Sequence, residues 1–233
     1  MAKNILLIGG TSGVGHEILR SQRELGNDVI CASRSNGGGI DLFGAEWQAF
    51  DATGSDSALN LPEVLDGLVY CPGSITLKPF ARLSDDDFQR DLEVNYLGCV
   101  RAIRQALPAL KRSEQASIIL FSTVAVQTGL PFHASISGAK GAIEGLTRAL
   151  AAELSPNIRV NSLALSLTDT PMAEGLLNSD AKRSAAAERH PLKRIGHPAE
   201  VAGAVDFLLG DQAAFISGQV MQLDGGLSTL KLL

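Results

Sequence analysis

The sequence is poor in cysteine, in aromatic residues and in positive charge. Its three cysteines, Cys31, Cys71 and Cys99, are isolated, a spacing that argues against a disulfide framework or a metal-binding motif. Aromatic residues make up only 5% of the chain, which argues against an all-β sandwich. The 20 lysines and arginines are outnumbered by 25 aspartates and glutamates, and no basic run occurs. We therefore expect neither nucleic acid nor an anionic membrane as a partner.

The sequence also lacks a long apolar run. No run approaches the roughly 20 residues that a membrane-spanning helix needs. The first run, residues 4–8, is too short for the core of a signal peptide. Together with the unpaired cysteines, these absences predict a cytoplasmic protein in a reducing compartment.

Strand-like and helix-like segments alternate along the chain. Its 233 residues, 45% of them hydrophobic, suffice for one large α/β domain. Strands are predicted at 4–8, 28–33, 46–50, 66–70, 116–121, 157–163 and 219–223. Helices are predicted at 13–25, 85–112, 134–154, 172–189 and 198–209, with short helices at most in 35–65. The alternation predicts a parallel sheet that is covered by helices on both faces.

A glycine-rich turn joins the first predicted strand to the first predicted helix. It contains Gly9, Thr11, Ser12, Gly13, Val14 and Gly15. Glycines there permit a tight turn, a close approach of phosphate to the backbone, and close packing of helix on strand. A strand, a glycine turn and a helix in this order place a pyrophosphate at a helix N-terminus, so we predict a dinucleotide site. A turn that binds no ligand is the alternative.

The helix predicted at 85–112 carries a polar residue in its apolar stripe. Ser84 is a suitable N-cap, and three aspartates follow it in the first turn, where negative charge suits the helix dipole. The apolar stripe consists of Phe88, Leu92, Cys99, Ile103 and Leu107. Asn95 lies on this stripe, so it is either a structural hydrogen-bonder or part of a site.

With these features the sequence resembles the short-chain dehydrogenase/reductase family along nearly its whole length. The resemblance is carried by the glycine turn, Asp51, Asn95 and the segments 159–161, 191–202, 207–209 and 216–226. It implies a three-layer, doubly wound Rossmann fold with a mostly parallel seven-stranded sheet. It also implies a single NAD(P)-binding domain at 1–233 with a substrate lid at about 167–192. A small-molecule substrate and a homodimer or homotetramer are implied as well.

The resemblance also assigns cofactor contacts to residues outside the glycine turn. Asp51 matches the aspartate that contacts adenine, and Lys140 matches the lysine that holds the nicotinamide ribose. After the fourth strand the family has an Asn-Asn-Ala-Gly motif, and this chain has Tyr70-Cys71-Pro72-Gly73 in its place. Pro72 and Gly73 occupy the last two positions of the motif and are expected to contact the cofactor. Thr170 matches a residue that holds the nicotinamide carboxamide.

The end of the second predicted strand, Ser33-Arg34, indicates the preferred cofactor. An acidic residue there would accept a hydrogen bond from the ribose 2′-hydroxyl, whereas a hydroxyl and a guanidinium form a phosphate site. We therefore expect NADP(H) in preference to NAD(H). The alternative is that Arg34 is a solvated charge that stacks on adenine without selecting the cofactor.

The sequence departs from the family where the proton donor is expected. The family has a tyrosine four residues before the lysine of the fifth helix, and here Ile136 stands four residues before Lys140. The helper serine of the family is replaced by Thr123. The family also has a Pro-Gly pair after the sixth strand, and this chain has Leu165-Ser166 there. Isoleucine cannot donate a proton, and a positioned acid typically contributes about 10²–10⁴-fold to the rate.

One substitute for the tyrosine is a histidine earlier on the same helix. His133 precedes Lys140 by seven residues, about two turns, so both side chains can share one face. The enoyl-thioester reductases of this superfamily have a tyrosine at that earlier position, and an imidazole can act as an acid near neutral pH. We hypothesise that His133, or Thr123 through a water, protonates the substrate. The alternative is that His133 only flanks the start of the helix.

Two functions are compatible with these residues. The first is an NADP(H)-dependent oxidoreductase acting on a small carbonyl, alcohol or enoyl substrate, with Asn95, Thr123, Lys140 and His133 as catalytic candidates. The second is a scaffold or sensor subunit that binds NADP(H) and has lost catalysis. Ile136 favours the second function, whereas the polar set beside the nicotinamide favours the first.

Overall fold

The computed structural model describes residues 2–54 and 57–231, and seven strands within these ranges form one sheet. The strands are β1 (Asn4–Ile8), β2 (Asp28–Ser33), β3 (Glu46–Ala49), β4 (Gly67–Tyr70), β5 (Ala116–Thr123), β6 (Ile158–Leu165) and β7 (Val220–Leu223). Their order is β3-β2-β1-β4-β5-β6-β7, and every neighbouring pair is parallel. The predicted doubly wound fold is confirmed, and the sheet is parallel throughout.

Helices cover both faces of the sheet. They are α1 (Gly13–Glu24), α2 (Asp85–Leu92), α3 (Gly98–Leu110), α4 (Ala125–Thr128), α5 (Ala134–Leu154), α6 (Glu174–Leu177), α7 (Asp180–Glu188) and α8 (Pro198–Leu209). Alternate residues of β5 face opposite sides: Ile118 packs in the core with residues of α3 and α5, and Ile119 packs in the core with α1 and α8. This two-sided burial explains why the strands are apolar at nearly every position.

The predicted helix at 85–112 is wrong in one respect, because it is not a single α-helix. A π-helical turn at Glu93–Leu97 separates α2 from α3. Within it, Asn95 Nδ2 donates to the backbone oxygen of Asp91 at 2.9 Å, four residues earlier. In an α-helix the backbone amide of Asn95 would donate to this Asp91 carbonyl, and here the Asn95 side chain does so instead. Such π-turns are frequent at functional sites. The predicted cap is confirmed, since Ser84 and Asp87 form a capping box.

The predicted helix at 172–189 is also divided. A 3₁₀ turn at Pro171–Ala173 leads into α6, and Ser179 then starts α7 by accepting a hydrogen bond from the Lys182 amide. Three short elements were not predicted from the sequence: α4 and the 3₁₀ turns at Phe80–Arg82 and Asp211–Ala213. Among the described residues of 35–65, no helix is present, as expected.

Candidate active site

The carboxyl ends of the parallel strands meet at one edge of the sheet, and the strand order reverses between β1 and β4. Ligands of open α/β sheets bind at such a point. The glycine turn follows β1, and Pro72 and Gly73 follow β4. The two segments touch, because a Cβ added to Gly9 would lie 3.1 Å from Pro72 Cδ.

The glycine turn presents an uncovered helix N-terminus. Helix α1 begins at Gly13, its N-cap Ser12 makes no side-chain capping bond, and its first turn has no acidic residue. The first amides of the helix therefore keep their capacity to bind an anion, with the helix dipole in support. Gly15 is required by packing, because a Cβ there would lie 2.1 Å from the Gly9 oxygen.

The segment after β6 lies over the glycine turn. A Cβ added to Gly13 would lie 3.6 Å from Thr170 Cβ and 3.6 Å from Pro171 Cδ. Met172 continues over the other strand end, where its Cε lies 3.8 Å from the Cβ position of Gly73. The structure thus brings Thr170 to the cleft that the resemblance assigned to it.

The space that a side chain at Gly73 would occupy, called the gap below, borders two polar groups of the predicted site. The position that a Cβ of Gly73 would occupy lies 3.1 Å from Asn95 Oδ1 and 4.0 Å from Lys140 Nζ. Asn95 is fully buried, and its Oδ1 has no hydrogen-bond partner among the described residues. Buried acceptors of this kind are rare in folded proteins and usually mark a site for a ligand or an ordered water.

The NH₂ group of the Asn95 side chain is held by hydrogen bonds. Its Nδ2 donates to the Ser74 carbonyl at 3.2 Å, to Ser74 Oγ at 3.1 Å and to the Asp91 carbonyl at 2.9 Å. Ser74 Oγ in turn donates to Asp91 Oδ1 at 2.7 Å. These bonds require the nitrogen of the amide to face α2, so its oxygen faces the gap.

The ammonium group of Lys140 is poorly solvated. Burial lowers the pKa of its ammonium to about 8, and Cys99, Cys71 and Asp91 oppose this shift only in part. Burial also raises the pKa of the Cys99 thiol to about 12, and it raises the pKa of Cys71 as well. Both thiols are therefore protonated near pH 8.

The adenine end of the cleft differs in detail from the expectation. Ser33 is buried, its Oγ donates to the Ser35 carbonyl at 2.7 Å, and it accepts from Trp47 Nε1 at 2.9 Å. Its hydroxyl is therefore committed within the protein. Arg34 is exposed and forms no ion pair with any described residue. Asp51 Oδ1 accepts from the amide and the hydroxyl of Thr53, hydrogen bonds that lower the pKa of its carboxyl.

The candidate proton donors lie at the ends of β5 and of the loop before α5. Thr123 is the last residue of β5, and its Oγ1 accepts from the Ala125 amide at 3.3 Å. His133 is half-buried at the N-cap of α5, where Nδ1 bonds the Pro131 carbonyl at 2.8 Å. Ile136 is 3% exposed, and it offers no proton-donating group at the position of the family tyrosine.

Sequence reasoning missed a buried carboxylate beside these residues. Asp91 is fully buried, and its Oδ2 accepts from Ser135 Oγ at 2.7 Å. Its position could have been noticed, because it lies on the same apolar stripe as Asn95, four residues earlier.

Within residues 2–54 and 57–231, no cluster of His, Cys, Asp and Glu could hold a metal ion. Over the same ranges, no helix is long and apolar enough to cross a membrane.

Known proteins share this fold and resemble this chain in sequence along nearly its whole length. Residues 49–228 match the family model described as enoyl-(acyl carrier protein) reductase. The chain is 30% identical over 232 residues to the 3-oxoacyl-[acyl-carrier-protein] reductase MabA of Mycobacterium tuberculosis, which covers 97% of this chain and 93% of that protein.

Two solved structures illustrate the likeness in three dimensions. The ligand-free aldohexose dehydrogenase of Thermoplasma acidophilum superposes with a TM-score of 0.90 at 28% identity, covering 100% of this chain and 96% of that one. A variant of actinorhodin polyketide ketoreductase, solved with NADPH, superposes with a TM-score of 0.86 at 25% identity, covering 98% of each chain.

Proposed function

The chain belongs to the short-chain dehydrogenase/reductase family of oxidoreductases, and we propose that it uses NADP(H) on a small carbonyl, alcohol or enoyl substrate with a non-standard proton donor. The observation that carries the proposal is the gap beside Gly73. It is bordered by the unpartnered oxygen of Asn95 and by the Lys140 ammonium. A ribose hydroxyl in the gap can donate to the first group and accept from the second.

The residues of the cleft fit a nicotinamide dinucleotide along its length. The open N-terminus of α1 suits the pyrophosphate, and the gap at Gly73 suits the nicotinamide ribose. Thr170, beside the turn, is the candidate contact for the carboxamide. When bound, the nicotinamide supplies or accepts the hydride, while the protein holds both reactants and moves the proton.

Arg34 is the residue that supports a preference for NADP(H). It follows β2 directly, where the adenine ribose binds in dinucleotide folds. Because the Ser33 hydroxyl is engaged by Trp47 and Ser35, recognition of a 2′-phosphate rests on the Arg34 guanidinium. The ketoreductase noted above was solved with NADPH, which is consistent with this choice.

The proton of the reaction comes from a group other than tyrosine. His133 lies two helical turns before Lys140, and Thr123 ends the strand that leads to the same region. His133, or Thr123 through a water, delivers a proton to the developing oxyanion. Lys140 holds the cofactor ribose and places a positive charge near that oxyanion.

A second function is favoured by one observation, the buried Ile136. A chain with no acid at this position can bind NADP(H) without reacting, as a scaffold or sensor. The two functions share the cofactor site and differ in turnover. Under either of them we propose a homodimer or homotetramer. The outer face of α5 is compatible with this, because a Cβ at Gly138 or Gly145 would meet no atom within 4 Å.

The first experiment is a fluorescence titration of the purified protein with NADPH and NADH. Ketones, quinones and enoyl thioesters are then tested by the absorbance of the nicotinamide. Tighter binding of NADPH with turnover supports the proposal, and binding without turnover favours the scaffold. Absence of binding contradicts both.

The proton donor is tested in the same turnover assay. His133→Ala and Thr123→Val each remove one candidate donor, and the variant that loses about 10²-fold or more identifies the group. Full turnover in His133→Ala excludes the imidazole. Full turnover in both variants contradicts the proposed donors.

A further inference from the structure

A buried carboxylate lies next to the candidate active site without a cationic partner. Asp91 is 0% exposed and forms no ion pair with any described residue. Its oxygens accept from three hydroxyls: Ser74 at 2.7 Å, Ser135 at 2.7 Å and Thr76 at 3.4 Å. A buried polar group is unfavourable unless it is hydrogen-bonded, and a purely packing role is filled equally well by apolar residues.

Asp91 determines which way the Ser74 hydroxyl points. Because the carboxylate only accepts, Ser74 Oγ must donate its single proton to Asp91 Oδ1. The hydroxyl is then left as an acceptor, and Asn95 Nδ2 donates to it at 3.1 Å. If the Asn95 amide were flipped, its oxygen would face the oxygens of Ser74 and the Asp91 carbonyl. Through Ser74 the Asp91 carboxylate thus adds to the two backbone carbonyls, of Ser74 and Asp91, that hold Asn95 with its oxygen toward the gap at Gly73.

Asp91 also links α2 to the first turn of α5 by a hydrogen bond. Ser135 Oγ donates to the carboxylate at 2.7 Å, lies 3.2 Å from the Asp87 carbonyl oxygen, and belongs to the residue just before Ile136. Lys140 follows just over one turn later on the same helix. The carboxylate therefore contacts both the loop residue Ser74, which bonds Asn95, and the helix that carries Lys140.

We propose that Asp91 is a positioning residue of this active site, which orients Asn95 through Ser74 and holds the first turn of α5 through Ser135. The inference rests on the proposed function and adds to it a residue that the family resemblance does not assign. Asp91 acts through other groups and does not itself touch the cofactor.

The test compares Asp91→Asn with Ser74→Ala in the intact protein. Asp91→Asn leaves one acceptor oxygen for the two hydroxyls of Ser74 and Ser135, so it should weaken NADPH binding about five-fold or more and lower kcat less. Ser74→Ala removes the hydroxyl that links Asp91 to Asn95, so it should weaken NADPH binding by a similar factor. The control is Asp86→Asn, an exposed aspartate of the same helix, which should change neither quantity.

The outcomes separate this inference from the proposed function. If the wild-type protein neither binds NADPH nor turns over, the proposed function fails first. If the wild type binds NADPH, unchanged NADPH affinity in both Asp91→Asn and Ser74→Ala overturns the inference. If Asp91→Asn does not fold, the NADPH affinity of Ser74→Ala decides alone. A lower melting temperature with no change in affinity assigns Asp91 a structural role and also overturns it.

Discussion

Filling the gap beside Gly73 should weaken NADPH binding while it leaves the fold intact. In Gly73→Ala, the new Cβ lies 3.1 Å from Asn95 Oδ1 and 4.0 Å from Lys140 Nζ. It therefore occupies the space in which the ribose hydroxyls are proposed to reach these two groups. Loss of one or two hydrogen bonds, at about 1 kcal/mol each, predicts NADPH binding roughly 5- to 30-fold weaker. Gly73→Val should weaken it further.

The effect of this change on stability should be small. A contact of 3.1 Å is relieved by a shift of a few tenths of an ångström, so the free energy of unfolding should fall by less than about 1 kcal/mol. The assay is a fluorescence titration with NADPH, next to urea unfolding of the same sample. Gly203→Ala is the control, because its Cβ meets no atom within 4 Å and the residue lies inside helix α8.

The control variant should bind NADPH as the wild type does. It should be up to about 1 kcal/mol more stable, because alanine replaces glycine inside a helix. Folded Gly73→Ala that binds NADPH as tightly as the wild type would refute the assignment of the gap to the cofactor.

Three further changes test other parts of the cleft. Arg34→Ala should weaken NADPH binding about ten-fold and leave NADH binding unchanged, as measured by parallel titrations; equal losses for both cofactors would contradict the selection of phosphate. Gly15→Ala should lower the free energy of unfolding in urea by about 2–4 kcal/mol and abolish NADPH binding, because its Cβ would lie 2.1 Å from the Gly9 oxygen; wild-type stability would contradict this packing. Ile136→Tyr should raise turnover about 10²-fold, because it restores a phenol near Lys140. Overpacking should lower the free energy of unfolding by about 1–3 kcal/mol. Unchanged turnover in a folded variant would contradict the predicted geometry.

The parts of the fold that local sequence determines were predictable. Each of the seven strands was found within two residues of its predicted bounds, because buried parallel strands are short apolar runs. The start of α1 follows from the glycine turn, and the cap at Ser84 follows from its neighbours. Periodicity could not show the division of the helix after Ser84, because the π-turn depends on a hydrogen bond made by the Asn95 side chain.

The parts of the site that depend on contacts distant in sequence were not predictable. Ser74 lies 17 residues from Asp91 and 21 from Asn95, and the chain brings them together only when the loop after β4 packs on α2. Ser33 was expected to face a phosphate, but pairing of β2 with β3 brings Trp47 to its hydroxyl. In both cases the residue types were visible in the sequence and their partners were not.

The most direct test of the central claim is transfer of hydride by a protein that lacks the family tyrosine. The protein is mixed with NADPH that carries deuterium at C4 of the nicotinamide, and with ketones and enoyl thioesters in turn. Mass spectrometry of the products then detects a carbon-bound deuterium. The account predicts labelled product from at least one substrate class, and loss of the label in Lys140→Ala. Tight NADPH binding with no labelled product from either class would contradict it and favour the scaffold.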